Sequence, residues 1–251
     1  MLGVTKLAPG QERYHLRAVG LDGSAGEPPG SWVGRSAGSL GVSGAVEGAA
    51  LSAVLGGRHP VTGAQLRDLR YPVRVPGFEL TFGAPKSVSV LGGLCGGEVA
   101  AEVDGAQASA VGAAVGYLER EAARARRAAG GQRRLVPVDG LVAAAFTHHT
   151  SRGGDPHLHT HVLVANLVRG EDGRWSALEA GGLFAHATTA ASLHAAQLRS
   201  RLTNRLGLAW ARHGDGGAQV AGIDPSLLRA FSRRRAEVET RMAEHGATSA
   251  R

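Results

Sequence analysis

Three histidines, His148, His159 and His161, fall within the stretch FTHHTSRGGDPHLHTHVLVAN at residues 146–166. His159 and His161 stand two apart inside the apolar run LHTHVLVANLV, and a β-strand turns side chains i and i+2 to the same face. Two imidazoles would then aim at one point. His148 closes the run LVAAAFTH, in which Val142, Ala144, Phe146 and His148 share a face, so a third imidazole can arrive from a neighbouring strand. Three neutral nitrogen donors with coordination positions left open suit a catalytic metal site better than a structural one. With 11 histidines in 251 residues an H-x-H pair is weak alone, and His157 with His159 forms a second pair. On composition only, strand or loop histidines satisfied by hydrogen bonds fit the same residues.

Such a cluster needs strands lying side by side. The stretch GFELTF at 77–82 alternates like a strand, and Pro85 behind it suits the first position of a helix over KSVSVLGGL. Residues 98–129 read as the longest helix, ending in Arg and Gly. RRLVPV and LVAAAFTH read as strands joined by a hairpin at Asp139-Gly140, and a second hairpin at Asp172-Gly173 leads into RWSAL. Further helices are expected near 46–55, over 183–206, and from the cap Asp224-Pro225 almost to Arg251, with LAWARH as a strand between the last two. At the start, GQERYHLRAVG fits a short helix carrying Tyr14, and residues 20–31 and GGRHPVTG read as loops. Hairpins mixed with helices imply an α+β fold, an antiparallel sheet with helices packed on it.

A chain of 251 residues can bury a real core, and no stretch approaches the ~20 apolar residues of a membrane span. No secretory signal pattern opens it, and its single cysteine, Cys95, excludes an intramolecular disulfide. A cytoplasmic protein without membrane insertion is the expectation. The formal charge of +7 favours a polyanion as partner, with nucleic acid first. All 28 cationic residues but Lys6 and Lys86 are arginine, whose planar fork matches phosphate. The clusters at Arg124, Arg126, Arg127, Arg133 and Arg134, and at Arg233 to Arg235, are expected on solvated helix faces. No Walker A sequence is present, so nucleotide hydrolysis has no support.

Four segments together resemble the relaxase domain of MobF-class conjugative relaxases, the TrwC/TraI type: MLGVTKL with Tyr14, SWVGRSAGSLGVSGAV at 31–46, GFELTFGAPKSVSVL at 77–91, and the histidine stretch. The likeness runs to about residue 245 in the family's order. It implies a histidine-hydrophobe-histidine (HUH) endonuclease with a palm-like fold, a central antiparallel sheet flanked by helices, over one relaxase domain at 1–251. The last helical pattern approaches Arg251, so a truncated boundary is expected there; full-length relatives continue into a helicase for which this chain has no sequence. The implied reaction is strand-specific nicking at an origin of transfer, with single-stranded or hairpin DNA as partner beside relaxosome and secretion-coupling proteins. Matched to the family's motifs, Tyr14 is the nucleophile, Glu79 the acidic helper, and His148, His159 and His161 the ligands of one divalent ion, whether Mg, Mn, Zn, Ni or Co.

That chemistry requires those residue types. A cation held by three imidazoles polarises a nonbridging phosphate oxygen, and a phenolate leaves readily enough for the strand to be rejoined. Glu79 is placed to take the phenol proton or to hold a ligand imidazole by its second nitrogen. Lys86 and Arg152 are candidate phosphate contacts and Trp32 a candidate base-stacking platform, each with a structural alternative in capping, pairing or core packing. Of the other tyrosines, Tyr71 precedes a proline and Tyr117 lies in the long helix. Departures from the family's pattern include His15 where many members carry a second tyrosine, the lack of a second pair further on, Glu79 in place of Asp, and His157 in place of Gln. His149 and His157 flank the ligands and are expected to point away. A degenerate fragment that binds single strands without cutting, or a cupin-like metal hydrolase unrelated to DNA, are the alternatives.

Overall fold

A computed structural model describes residues 2–18, 27–67, 73–129, 132–212, 217–233 and 237. In chain order the first half supplies β1 (Leu2–Lys6), α1 (Glu12–Ala18), β2 (Ser31–Val33), α2 (Gly48–Leu55), β3 (Gly77–Gly83), α3 (Lys86–Cys95) and α4 (Gly97–Glu121). The second half supplies β4 (Arg124–Ala129), β5 (Gln132–Pro137), β6 (Ala143–Thr150), β7 (Pro156–Ala165), β8 (Val168–Arg169), β9 (Trp175–Ser176), α5 (Gly181–Ala185), α6 (Ala187–Leu206), β10 (Trp210–Arg212), β11 (Ala218–Val220) and α7 (Pro225–Ala230). Strands β1, β3, β7, β6 and β2 lie in that order in one sheet, every neighbouring pair antiparallel. This is the α+β architecture expected from the sequence.

The two-residue period of β3 sorts the sheet's faces. Phe78, Leu80 and Phe82 point one way and join Val162 and Val164 of β7 and Ala143 of β6 in one apolar cluster with Val111, Ala114, Val115 and Leu118 of α4. Small residues on α4, with Ala106, Ala110 and Ala114 wholly buried, let α6 pack closely alongside. Helix α6 answers with Ala190, His194, Leu198 and Leu202, one buried residue every fourth position. On the opposite face Ala144, Phe146, Leu163 and Ala165 pack against Leu51, Val54 and Leu55 of α2. Phe146 fits because residue 30 is glycine: a Cβ there would stand 2.4 Å from the ring.

Several local expectations need correction. The arginine-rich stretch after α4 is not a helix end. It forms β4, which pairs with β5, because Ala123 and Ala125 are buried and Arg126 and Arg127 reach Glu179 and Asp172 at 2.7 and 2.8 Å. Asp139-Gly140 is a crossover rather than a hairpin, since β5 pairs only with β4 while β6 pairs with β7 and β2. Gly140 is needed there because a Cβ would meet Arg35 Cβ at 2.8 Å and Glu119 Oε1 at 2.9 Å. Asp224 caps α7 as expected, accepting from Ser226 N; the continuation of a final helix toward Arg251 falls on residues after 233 that, apart from 237, lie outside the described residues. Arg233 is exposed, as expected, and its guanidinium also pairs with the buried Asp155 carboxylate at 2.8 Å. Tyr71, Arg234, Arg235 and most of the 20–31 loop also lie outside the described residues. Helix 183–206 is broken at His186 into α5 and α6.

Beneath the sheet, Gln107 of α4 joins four elements. Its Nε2 donates to Phe82 O at 3.0 Å and to Thr160 Oγ1 at 3.2 Å, and its Oε1 accepts from His194 Nε2 at 3.1 Å. Burial pushes the His194 pKa down to about 4. The native ring is therefore neutral, while the unfolded ring takes a proton near its ordinary value of 6.5, so this residue's contribution to stability falls as pH drops from 6.5 toward 4. Gln107→Leu leaves the His194 N–H unpaired in the interior and removes the side-chain bond to the Phe82 carbonyl, which the ladder with Thr160 still pairs, and should lower unfolding free energy at pH 7 by about 1–3 kcal/mol. Urea unfolding measures this, and a change under about 0.5 kcal/mol would contradict the bridging role.

Candidate metal centre

Strand register assembles the three imidazoles. His148 of β6 pairs directly with His159 of β7, and His161 lies between Phe146 and Thr81. On this face β7 presents Leu163 to the core and His161 and His159 beyond it, so the cluster starts where α2's cover ends. The ring centroids are 5.2 Å apart for His148 and His159, 5.1 Å for His148 and His161, and 4.9 Å for His159 and His161. One nitrogen from each lies within 4.8 Å of the others.

Hydrogen bonds decide which nitrogens are free. A carboxylate and a carbonyl only accept, so His161 Nδ1–H donates to Glu79 Oε1 at 2.5 Å and His159 Nδ1–H donates to His157 O at 2.8 Å. Both rings then keep an Nε2 lone pair. His148 Nε2 is buried and has no hydrogen-bond partner, an orphan that a cation would satisfy. The donor set fits one divalent ion with positions open beside it.

Electrostatics agree with the geometry. Burial, followed by the neighbouring imidazoles of His161 and His159, pushes the His148 pKa down to about 4, and burial lowers that of His159 as well. Glu79 is held below the usual carboxylate range, foremost by its bond from His161, and is ionised at neutral pH.

Glu79 projects from the centre of β3 and touches α1 as well. Gln11 Nε2 donates to its Oε2 at 3.3 Å, and His15 Nε2 stands 3.5 Å from Oε1. His15 is only 1% exposed, with its ring 4.7 Å from His161 and stacked on Phe146 at 5.7 Å. The next residue back, Tyr14, is 49% exposed, edge-on to His15 at 5.2 Å. Arg152 places its guanidinium carbon 5.9 Å from the Tyr14 ring centre, within cation–π range. The phenol and the imidazole trio are thus joined through one intervening residue, His15.

The loop carrying Arg152 is tightly held. Ser151 N–H donates to Asp155 O at 2.8 Å, and the buried Asp155 carboxylate accepts from Arg233 N and Nε, each at 2.8 Å. Lys86 Nζ donates to Pro156 O at 2.7 Å, so this lysine ties α3 to the start of β7. Trp32 is half-buried against the α2 side of the core, paired in the ladder with Ala144. Of the three suggested DNA contacts, only Arg152 meets the Tyr14 ring. Tyr117 is bonded to His186 at 2.7 Å, away from this site.

His149 points away as expected, bonded to Glu27 and Asp104 at 3.0 and 2.9 Å, and the Asp104 bond foremost raises its pKa to about 9. His157 departs from expectation. It shares the two-residue period of His159 and stacks on that ring at 4.6 Å, and its carbonyl sets the His159 tautomer. Gln11 escaped the sequence reading, and His15 entered it only as the residue in place of a second tyrosine, although their spacing of four around the start of the Tyr14 helix was a usable signal.

The family description TrwC relaxase matches residues 8–251. The chain belongs to the TrwC relaxase family. The multifunctional conjugation protein TraI of Escherichia coli is 40% identical over 158 residues, covering 62% of this chain. This chain spans 8% of the length of that relative. Among solved structures, the conjugative relaxase TrwC in its copper-bound complex with oriT DNA superposes with a TM-score of 0.87 at 28% identity, covering 100% of this chain and 87% of the other. TrwC with a 27-mer DNA comprising the recognition hairpin and cleavage site gives 0.85 at 28% identity, covering 100% and 86%. The open sheet with helices on both faces also removes the cupin alternative, which requires a closed double-sheet roll. Within this relaxase-family chain, no described helix is long and apolar enough to cross a membrane.

The depressed pKa of His148 moves the acid limit of its neutral form below the ~6.5 of a free imidazole. In the metal-free protein, the His148 ring signals followed by NMR should stay in the neutral form from pH 8 to about 5. A midpoint near 6.5 would contradict the enclosed site.

Proposed function

We propose that this chain is a site- and strand-specific DNA relaxase: it nicks one strand at an origin of transfer by transesterification and holds the 5′ end on Tyr14. The observation that carries this reading is the seating of the Tyr14 helix on Glu79, the same carboxylate that orients His161. The two TrwC structures in complex with oriT DNA, one copper-bound and the other metal-bound, support the DNA partner and the divalent cofactor.

In the proposed reaction Tyr14 Oη attacks the scissile phosphorus. The bond between phosphorus and the 3′ oxygen breaks, the phenol proton leaves to solvent or a nearby base, and the 3′ oxygen departs as a hydroxyl after gaining a proton. His148, His159 and His161 would hold the cation, whose chemistry is to withdraw charge from a nonbridging oxygen of the phosphate. Arg152, over the Tyr14 ring, is positioned to meet the phosphate as it approaches. Glu79 serves to orient His161 rather than as a general base; its bonds to His161 and Gln11 support that assignment. Reversal of the same steps rejoins strands. His15 in place of a second tyrosine makes a second consecutive transfer by this chain alone unavailable.

We further infer that residues 1–251 act as one relaxase domain that nicks DNA, in the cytoplasm, alongside relaxosome and secretion-coupling partners. Lys86 and Trp32 remain weaker candidates for DNA contacts than Arg152, given the bond from Lys86 to Pro156 and the core packing of Trp32.

The test uses single-stranded oligonucleotides tiled across the origin of transfer of the replicon that encodes the chain, with Mn or Mg present. Wild type should give a covalent protein–DNA band on a denaturing gel. Tyr14→Phe and His161→Ala should each lower its yield by roughly three orders of magnitude or more. DNA affinity should change far less. An adduct that persists in Tyr14→Phe, or a protein that binds every oligonucleotide and cuts none, would overturn the reading.

A further inference from the structure

Gln11, immediately before α1, and His15, within it, are four residues apart, about one helical turn, and both meet Glu79 of the sheet. They meet different oxygens of one carboxylate. Ala8 N–H donates to Gln11 Oε1 at 3.0 Å, which turns the amide nitrogen toward Glu79 Oε2 at 3.3 Å. The tautomer of His15 follows from a similar argument. Its Nδ1 is buried without a hydrogen-bond partner, and its Nε2 faces Glu79 Oε1 at 3.5 Å. A proton on Nδ1 would bury an unpaired N–H and set a lone pair against a carboxylate. A proton on Nε2 leaves only an acceptor unpaired and makes the contact attractive.

Three side chains therefore converge on Glu79: Gln11 and His161 by hydrogen bonds, and His15 by a polar contact of 3.5 Å from its Nε2. Two of them come from the segment that carries Tyr14, Gln11 immediately before α1 and His15 within it. At seven residues α1 is too short to persist as an isolated helix, so its position depends on such anchors together with the packing of Leu16.

We propose that Gln11 and His15 are positioning residues, a two-point clamp that seats the Tyr14 helix on Glu79 and, through Glu79, on His161. Docking of the helix and binding of a divalent cation at the imidazole trio then reinforce one another. A cation on the far nitrogen of His161 draws charge from the ring and makes its Nδ1–H a stronger donor to Glu79, while a well-held Glu79 makes His161 a better ligand. Because the coupling is reciprocal, whatever loosens α1 weakens cation binding, and cation binding tightens α1. The inference rests on the proposed roles of Tyr14 and the trio, yet its readouts need no cleavage.

The experiment compares wild type, Gln11→Ala, His15→Ala, His15→Gln and Tyr14→Phe. Zn affinity is measured by calorimetry without DNA, and amide exchange of residues 12–18 with and without Zn. In wild type, saturating Zn should slow exchange over 12–18 by about ten-fold. Gln11→Ala and His15→Ala should weaken Zn binding by about three- to ten-fold, below the roughly 10- to 100-fold expected for losing a direct partner of a ligand. Both should also blunt the Zn-dependent slowing. His15→Gln, which restores an amide donor, should recover at least half of the loss on a logarithmic scale. If His15→Ala melts below the assay temperature, Gln11→Ala and His15→Gln decide the matter. Zn affinity within two-fold of wild type and unchanged exchange in these variants would overturn the clamp. Tyr14→Phe separates the two claims: it should keep wild-type Zn affinity and exchange while losing the DNA adduct, and retention of the adduct would sink the nucleophile assignment without touching the clamp.

Discussion

The bond from His161 Nδ1–H to Glu79 is the contact on which the rest of the site depends. It makes His161 present its Nε2 to the other two imidazoles, and it leaves an ionised carboxylate in a buried place that only nearby donors can make tolerable. Those donors come from β7 and from α1. A single carboxylate thereby fixes the tautomer of His161 and helps seat the helix bearing Tyr14. Glutamate, one methylene longer than the aspartate usual in the family, meets both demands here.

The sheet makes that contact possible by register alone. Glu79 and Thr81 share a face with His161 and His159 because side chains alternate along antiparallel neighbours, while Phe78, Leu80 and Phe82 anchor the other face to α4. Slipping β3 by one residue against β7 would bury Glu79 under α4 and expose the phenylalanines. The core thus guarantees the site. Where β6 ends, the irregular register between His148 and Thr150 sends His149 away to Glu27 and Asp104 and starts the loop that sets Arg152 over Tyr14.

Much of this was legible in the sequence, and the misses share a cause. The H-x-H spacing, the alternation of GFELTF and the stretch ending in His148 encode local periodicity, so both the α+β class and the imidazole cluster could be read directly. Tertiary partners were invisible. Arginines after α4 read as helix until Glu179 and Asp172 are seen opposite them in a strand pair. Asp139-Gly140 carries hairpin chemistry, yet the space beside Glu119 and Arg35 decides its use. His15 looked like a lost tyrosine; only its placement between Glu79 and Phe146 gives it a task. His157 was misread because its own strand parity was overlooked.

Anomalous diffraction from crystals soaked in Zn tests the central arrangement most directly. The account places a single ion about 2.0–2.1 Å from the Nε2 atoms of His148, His159 and His161, with Glu79 still bonded to Nδ1 of His161 and α1 in place. The competing cluster is His15, Glu79 and His161, whose ligand atoms also lie within 4.8 Å of one another. An ion found there, on the Nδ1 side of His161, would contradict the tautomer assignment and with it the linkage between ligand and nucleophile helix.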